Sequence, residues 1–179
     1  MPRRLEELRA ARVPGLRREK VDDAWLRRLA GLELTALVVE DASAITDAGL
    51  AAIADIGSLR LLDLCKPREI TDAGLKRLVG LPALHTLRFN DPRAVTPKGA
   101  QLLRELSALR RLRWSGVRQA DEALVAIGEL EKLEALDLSF SRVSDAGLAR
   151  IARLGSLRAL DLTATRITDA GTEALAGLA

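Results

Sequence analysis

The chain has 179 residues, of which 48% are hydrophobic and 30% are charged, and its 28 basic and 25 acidic side chains leave a net charge of +3. A single cysteine excludes an internal disulfide and a thiolate zinc site, and a single histidine excludes a paired-imidazole metal site. Aromatic residues make up 2% of the chain, too few for the stacking platforms that bind single-stranded nucleic acid. We therefore expect no metal and no cofactor.

The sequence predicts neither a membrane span nor a secretory signal. It contains no apolar run of about 18 residues, the shortest that reads as a membrane span. Its first residues carry mixed charge without the apolar centre of a signal peptide. A lone cysteine also fits a reducing compartment. These features predict a cytoplasmic protein.

The first 33 residues hold weak versions of patterns that become regular further along the chain. Residues 2–12 place Leu5 and Leu8 on one face of a short amphipathic helix. Residues 13–16 fall one repeat period before the first regular strand and are a candidate degenerate strand. Trp25 stands where later copies of the same motif have glycine. We interpret residues 1–33 as an atypical N-terminal cap on the repeats that follow.

From residue 34 onwards, a strand pattern recurs at regular intervals. Its form is Leu-x-x-Leu-x-Leu, and its last three positions alternate apolar, polar and apolar, which is the periodicity of a strand. Some copies end in valine, phenylalanine or tryptophan instead of leucine. The copies begin at Leu34, Leu59, Leu84, Leu109, Leu133 and Leu157.

A second pattern, Ile-Thr-Asp-Ala-Gly-Leu and its variants, lies between the strand copies. Apolar residues spaced three apart follow it, as from Leu75 to Leu78 and Leu81, which predicts a helix. A strand, a turn and a returning helix in each repeat make the strands parallel. The copies begin at Val21, Ile45, Ile70, Val95, Gln119, Val143 and Ile167, so the steps are 24 or 25 residues.

These two motifs, recurring in register, resemble the leucine-rich-repeat family. The tandem Ile-Thr-Asp-Ala-Gly-Leu is similar to its cysteine-containing, ribonuclease-inhibitor-like subclass and to bacterial repeat proteins of that type. The resemblance implies an α/β fold, a right-handed solenoid shaped as a horseshoe arc, with a parallel β-sheet on the concave side and helices on the convex side. It implies about six repeats of 24–25 residues. We predict one domain over residues 1–179, with the cap at 1–33 and the repeats at 34–179.

The helix motif also predicts how each helix begins. A hydroxyl at its second position can accept a hydrogen bond from an unpaired N–H, so Thr46 and Thr71 are predicted N-caps. The aspartate that follows is predicted to serve the positive end of its own helix. A row of such aspartates could instead attract divalent cations, although Pro97 interrupts the row. Phe89 and Trp114 replace the last strand leucine in adjacent repeats, and we expect them to touch in the core.

Cys65 and His85 are the candidates for a nucleophile and its base. The predicted register separates them by about four strand residues, or roughly 13 Å, whereas such a pair must lie within about 3 Å. The sequence also holds no glycine-rich phosphate loop and no nucleophile elbow. We therefore predict no catalytic residues and a non-enzymatic protein.

The resemblance places the residues that flank the buried strand leucines on the concave surface. Neighbouring parallel strands lie about 4.8 Å apart, so Asp63 can pair with Arg88, and Arg113 with Asp137. One interpretation is a ladder of charges that satisfy each other, and the other is a polar recognition surface with a basic centre. The central column of this surface reads Val38, Asp63, Arg88, Arg113, Asp137 and Asp161.

Two further residues distinguish this surface from a simple charge ladder. Arg111 has Thr86 and Ala135 as its lateral neighbours, so it faces no carboxylate. Phe140 follows a strand, where an exposed aromatic side chain could anchor a partner, although a ring tucked into the loop is an equal alternative. The predicted partner-binding residues are Asp63, Arg88, Asn90, Arg111, Arg113, Asp137, Phe140 and Asp161.

The leading hypothesis for function is a protein–protein interaction module, because the family that the chain resembles binds proteins through the concave sheet. An alternative is an electrostatic binder of nucleic acid or of an acidic ligand, since residues 85–118 hold eight basic and two acidic side chains. The mild overall charge and the few aromatic residues disfavour nucleic acid.

Two hypotheses concern larger assemblies. The chain could be the recognition subunit of a ligase-adaptor-like complex, but residues 1–33 contain no F-box, which some relatives of this repeat class carry. The last repeat shows no polar cap, so self-association through it is a further expectation.

Overall fold

The computed structural model describes residues 15–173. Within that range, seven strands form one parallel sheet, and their order in the sheet is their order in the chain. The predicted helix at residues 2–12 and the end of the last repeat, residues 174–179, lie outside the described residues. The strands are β1 (Gly15–Asp22), β2 (Ala36–Ala44), β3 (Leu61–Cys65), β4 (Thr86–Asn90), β5 (Arg111–Ser115), β6 (Ala135–Asp137) and β7 (Ala159–Asp161).

A helix follows each strand and returns the chain to the next one. Consecutive helices pack against each other just as consecutive strands pair, so each repeat touches its two neighbours. The helices are α1 (Asp23–Arg27), α2 (Asp47–Ala54), α3 (Asp72–Leu78), α4 (Pro97–Ala100), which a 3-10 helix at Gln101–Glu105 continues, α5 (Ala120–Ile127), α6 (Asp145–Ile151) and α7 (Asp169–Glu173).

The apolar core lies between the sheet and the layer of helices. The middle leucine of each strand pairs with the middle leucine of the next, so that the leucines form one continuous row from β2 to β7. Leu37, Leu62 and Leu87 in this row are fully buried, whereas Leu160 in β7 is only partly buried. The predicted α/β solenoid of alternating strands and helices is confirmed.

The sheet begins inside the segment that the sequence analysis interprets as a cap. β1 pairs in parallel with β2, and α1 follows it. The N-cap of α1, Asp22, accepts a hydrogen bond from the Trp25 amide at 2.8 Å. The Trp25 ring, in place of the motif glycine, lies 5.4 Å from the Arg18 guanidinium carbon. Part of the predicted cap is therefore a strand and a helix of the solenoid itself.

The two aromatic side chains of the core touch, as predicted. The rings of Phe89 and Trp114 stack with their centroids 5.7 Å apart and their planes 12° from parallel. Both side chains are buried at the ends of β4 and β5. They fill the interior positions that leucine or valine fills in the other repeats.

Hydrogen-bonded latches join consecutive repeats where their helices begin. The Asp47 carboxylate accepts two hydrogen bonds from Thr71 of the next repeat, one from the amide at 2.8 Å and one from the hydroxyl at 2.6 Å. The Thr71 hydroxyl in turn accepts a hydrogen bond from the Ala73 amide, as its predicted role of N-cap requires. The latches are Asp23–Thr46, Asp47–Thr71, Asp72–Thr96, Asp121–Ser144 and Asp145–Thr168.

The latches correct the role that the sequence analysis gives to these aspartates. Each one lies in the first turn of its own helix, but the hydrogen bonds that engage both its carboxylate oxygens come from the following repeat. In the last latch, hydrogen bonds from the Thr168 hydroxyl and amide lower the pKa of the Asp145 carboxyl below its ordinary value, because they stabilise its charged form. The aspartates therefore join repeats rather than only serving their own helices.

The motif glycine makes room for the latch. A Cβ atom at Gly74 would overlap the Asp47 carboxylate, and each equivalent glycine lies against the latch aspartate of the preceding repeat in the same way. The requirement for glycine is close approach, since the helical backbone there has an ordinary negative φ. Asp, Thr and Gly thus act as one device that spans two repeats.

One junction among the described repeats lacks this device. Pro97 replaces the aspartate, so it presents no carboxylate to the following repeat. That repeat has Ala120 in place of the hydroxyl residue and Ala123 in place of the glycine. Its N-cap residue, Gln119, makes no side-chain capping hydrogen bond. All three latch positions are therefore replaced together, and we call this place the unlatched junction.

Candidate partner-binding site

The concave face consists of the strand residues that alternate with the buried leucines. Its central column follows the pairing of the strands, since Val38 lies opposite Asp63, Asp63 opposite Arg88, and Arg88 opposite Arg113. The column continues from Arg113 to Asp137 and then to Asp161. The column is therefore acidic, then basic, then acidic along the sheet.

Two ion pairs link the basic centre of this column to its acidic neighbours, as predicted. Arg88 Nη1 lies 3.3 Å from Asp63 Oδ2, and Arg113 Nε lies 2.5 Å from Asp137 Oδ2. The arginine side chains are each 41% exposed, against 15% and 16% for the aspartates. The guanidinium groups therefore remain accessible to a ligand although their charges are paired.

Arg111 lies at the start of β5, beside this column. It is exposed, and the strand register places Thr86 on one side of it and Ala135 on the other. Neither neighbour carries a charge, and Arg111 makes no ion pair with any residue in the described range. Its positive charge is thus the one in this cluster that is open to an incoming carboxylate.

A groove of about 300 Å³ crosses the sheet from β4 to β7. Its floor is the strand backbone with the small Ala135 and Ala159 side chains, because the buried leucines of the strands point into the core on the opposite face of the sheet. Charged side chains surround that floor, basic on the β4–β5 side and acidic on the β6–β7 side. Five of the eight predicted partner-binding residues line the groove, namely Arg88, Arg111, Arg113, Asp137 and Asp161.

Neighbouring groups favour the charged form of the carboxylate at the acidic end of the groove. Asp161 accepts hydrogen bonds from Thr163, and these lower the pKa of its carboxyl below the ordinary value. The positive charge of Arg113 lowers it further. The groove therefore presents opposite charges at its two ends at neutral pH.

Two of the remaining predicted residues, Asp63 and Asn90, lie outside the groove lining, and each bonds to a neighbouring side chain. Asp63 lies on the far side of Arg88 and holds its guanidinium group. Asn90, at the end of β4, accepts a hydrogen bond from the Ser115 hydroxyl at 2.8 Å.

Phe140 also lies outside the groove lining, in the turn after β6. Its side chain is 71% exposed, and its backbone φ is 58°, in the left-handed region that bulky side chains rarely adopt. The same turn position in other repeats also has positive φ, at Lys66, Asp91, Gly116 and Ala164.

The structure brings no nucleophile and base together at Cys65 and His85. Cys65 pairs with Asn90, so the register separates it from His85 by five strand positions, one more than the sequence analysis counts. At strand rise this is about 17 Å. The His85 Nδ1 atom instead lies 2.5 Å from the Ala83 carbonyl oxygen.

The described residues also show no group of three or more metal-ligating side chains placed to hold a cation. Both carboxylate oxygens of each latch aspartate are engaged by a threonine or serine. In the same range, no helix combines the length and the apolar character that crossing a bilayer requires.

The basic residues of segment 85–118 are distributed over both faces of the solenoid. Arg111 and Arg113 lie on the concave sheet, whereas Lys98 and Arg104 lie on the helical side. Half of the eight basic residues are already paired with carboxylates, which reduces the positive charge that the sequence count suggests. These pairs are Arg88–Asp63, Arg93–Asp91, Arg104–Glu129 and Arg113–Asp137.

Sequence reasoning identified the charged walls of the groove but not the groove itself. Ala135 and Ala159 lie in the same lateral row as Arg111, and both belong to the groove lining. Two adjacent small residues leave the sheet uncovered beside long arginine side chains. That row of alanines is the signal in the sequence that could have located the recess.

Comparison with known proteins agrees with this architecture. A family model described as "Leucine Rich repeat" matches residues 129–152 and 156–176. A solved structure, an internalin C2 from Listeria monocytogenes, is 27% identical to this chain and superposes on it with a TM-score of 0.60. The match covers 86% of this chain and 62% of the internalin chain. No curated protein matches the chain. The repeats, the sheet and these two matches show a leucine-rich-repeat fold in this chain.

Proposed function

We propose that the chain is a non-enzymatic interaction module that binds a partner protein through the groove on its concave face. The observation that carries this proposal is the exposed, unpaired Arg111 within a groove whose floor the small Ala135 and Ala159 side chains leave open. A partner carboxylate would gain an ion pair at Arg111 without displacing an existing one. The family supports the proposal, since solenoids of this kind generally serve as interaction modules with extended concave surfaces.

The side chains around Arg111 define the chemistry of the partner. Arg88 and Arg113 add accessible guanidinium edges, and Asp161 adds a carboxylate at the opposite end of the groove. The complementary partner segment therefore has an acidic residue facing β4–β5 and a basic residue facing β7. Phe140 would contact the partner at the border of this surface.

Charge reversal at Arg111 tests the proposal. Immobilised wild type, R111E and R77E are used to capture partners from a native lysate, and recovered proteins are quantified by mass spectrometry. Arg77 is an exposed arginine on α3, on the helical side, and is the matched control. We expect R111E to recover about tenfold less of the specific partner, because it turns an attraction into a repulsion, and R77E to recover as much as wild type.

Two further measurements make the result interpretable. The melting temperatures of the three proteins should agree, because Arg111 makes no ion pair that its replacement would break. Nuclease treatment of the lysate should leave the recovery unchanged, since we propose a protein ligand. Equal recovery by R111E and wild type would remove the groove as the binding surface.

We also propose that the chain acts in the cytoplasm and belongs to the ribonuclease-inhibitor-like subclass. The free, partly buried Cys65 and the tandem Ile-Thr-Asp-Ala-Gly-Leu motif support this. Self-association through the last repeat stays a prediction, since residues 174–179 lie outside the described residues.

A further inference from the structure

The unlatched junction contains a cleft of its own, separate from the concave groove. Its volume is about 340 Å³, and small-molecule sites typically measure about 300–1,000 Å³. Val95 and Pro97 contribute to it from one repeat, Val117 and Ala123 from the next, and Trp114 contributes from β5. None of its lining residues lines the groove.

The absence of the latch explains why this cleft is open. At the next junction, the Asp121 carboxylate crosses to the following repeat, bonds to Ser144 and lies against Gly147. At the unlatched junction, the ring of Pro97 makes no such crossing. The Ala123 methyl group takes part of the space that a latch carboxylate would occupy, and Thr96, Pro97 and Ala123 line the cleft that remains.

The charges around the cleft have a positive excess. Asp91 is the one carboxylate in its lining, and it is shared by Arg93 at 2.9 Å and by Arg68 at 3.3 Å. Arg118, which also lines the cleft, is exposed and makes no ion pair within the described part of the chain. An anionic group at Arg118 would therefore meet a charge that no carboxylate among residues 15–173 neutralises.

We propose that the cleft binds a small organic anion that has an aromatic or branched-alkyl body and a carboxylate or sulfonate group. The apolar body lies between Val95 and Val117, and the anionic group lies at Arg118. A cleft of this kind holds a ligand by apolar contact and orients it by a few charged groups. This site is independent of the partner-binding groove, so either proposal can fail alone.

The dye 8-anilinonaphthalene-1-sulfonate is a suitable probe, because it combines an aromatic body with one sulfonate. Its uncharged parent, N-phenyl-1-naphthylamine, has the same body without the anion. Both dyes become fluorescent in apolar surroundings, so each can be titrated against the folded full-length chain. We expect the anionic dye to saturate at one site per chain and to bind more tightly than the neutral dye.

R118E tests the role of the charge, with R142E as its matched control. Arg142 precedes the latch residue Ser144 by two positions, just as Arg118 precedes Ala120, but it lies at a latched junction. We expect R118E to weaken binding of the anionic dye about tenfold and to leave the neutral dye within about twofold, because reversal changes only the electrostatic contact. R142E should bind both dyes as wild type does.

Restoring the latch tests the role of the cleft. The variant P97D/A120T/A123G introduces the Asp, Thr and Gly that the other junctions use. We expect it to fold and to lose affinity for both dyes by about tenfold or more, because the new carboxylate occupies the space. Circular dichroism and a thermal melt establish that each variant is folded before its titration is interpreted. If the triple variant does not fold, the R118E titration alone tests the proposal.

Three results would overturn the proposal. The first is absence of saturable dye binding to the wild type. The second is equal binding of the anionic dye by R118E and R142E. The third is binding of an acidic, leucine-containing peptide in the cleft without binding of either dye, which would assign the cleft to a protein partner.

Discussion

Phe140 shows most clearly, at the scale of single residues, where stability and proposed function conflict. A large apolar side chain is both exposed and attached to a left-handed backbone, and each feature is unfavourable for folding alone. Four other repeats place a lysine, an aspartate, a glycine or an alanine in the same left-handed turn. The sequence left open whether the Phe140 ring is exposed or tucked into the loop, and it did not indicate the backbone conformation, because φ depends on how the turn closes onto the next repeat.

We therefore predict that F140G stabilises the chain. Glycine adopts positive φ without a steric penalty, so the free energy of unfolding should rise by about 1 kcal/mol and the melting temperature by about 3 °C. Urea unfolding and a thermal melt measure the change. A164G, at the equivalent turn, is the control and should also stabilise. Destabilisation by F140G alone would show that the Phe140 ring makes native contacts that stabilise the fold.

The latch is the device that matters most at the scale of the helices. The N-cap threonine was predictable from one copy of the motif, because capping is local. The partner of the aspartate was not, because it lies 23 or 24 residues along the chain and its position depends on how two repeats stack. The clue was that Pro97, Ala120 and Ala123 depart from the motif together, as residues in mutual contact do.

A double-mutant cycle at Asp47 and Gly74 tests the latch. D47A should lower the free energy of unfolding by about 2 kcal/mol, because it removes two hydrogen bonds to a carboxylate. G74A should cost about as much, since its Cβ displaces the same carboxylate. The double variant should then lose about 2 kcal/mol rather than 4, a coupling typical of groups in contact.

Urea unfolding provides the four free energies of this cycle. The control pairs G74A with D169A, because Asp169 occupies the same helix position but forms no latch among the described residues. Those two changes should be additive. Additivity in the Asp47–Gly74 cycle itself would show that the aspartate and the glycine act independently.

The whole molecule is largely predictable because each repeat contacts only its neighbours. The order of the strands, their register, the Phe89–Trp114 stack and the two concave ion pairs follow from the period of the sequence alone. The groove and the cleft do not, because they arise where the repeats differ. Ala135 and Ala159 open the groove beside Arg111, and Pro97 opens the cleft beside Arg118.

A partner protein that covers the concave groove would shield the carboxylates in it, and carboxylate labelling tests this most directly. Free chain and partner-bound chain are treated with a carbodiimide and a glycine ester, and the labelled peptides are quantified by mass spectrometry. We predict that the partner lowers labelling of Asp161 severalfold and leaves Glu122, an exposed carboxylate on α5, unchanged. Protection of Glu122 with full labelling of Asp161 would place the partner on the helical side and contradict the account.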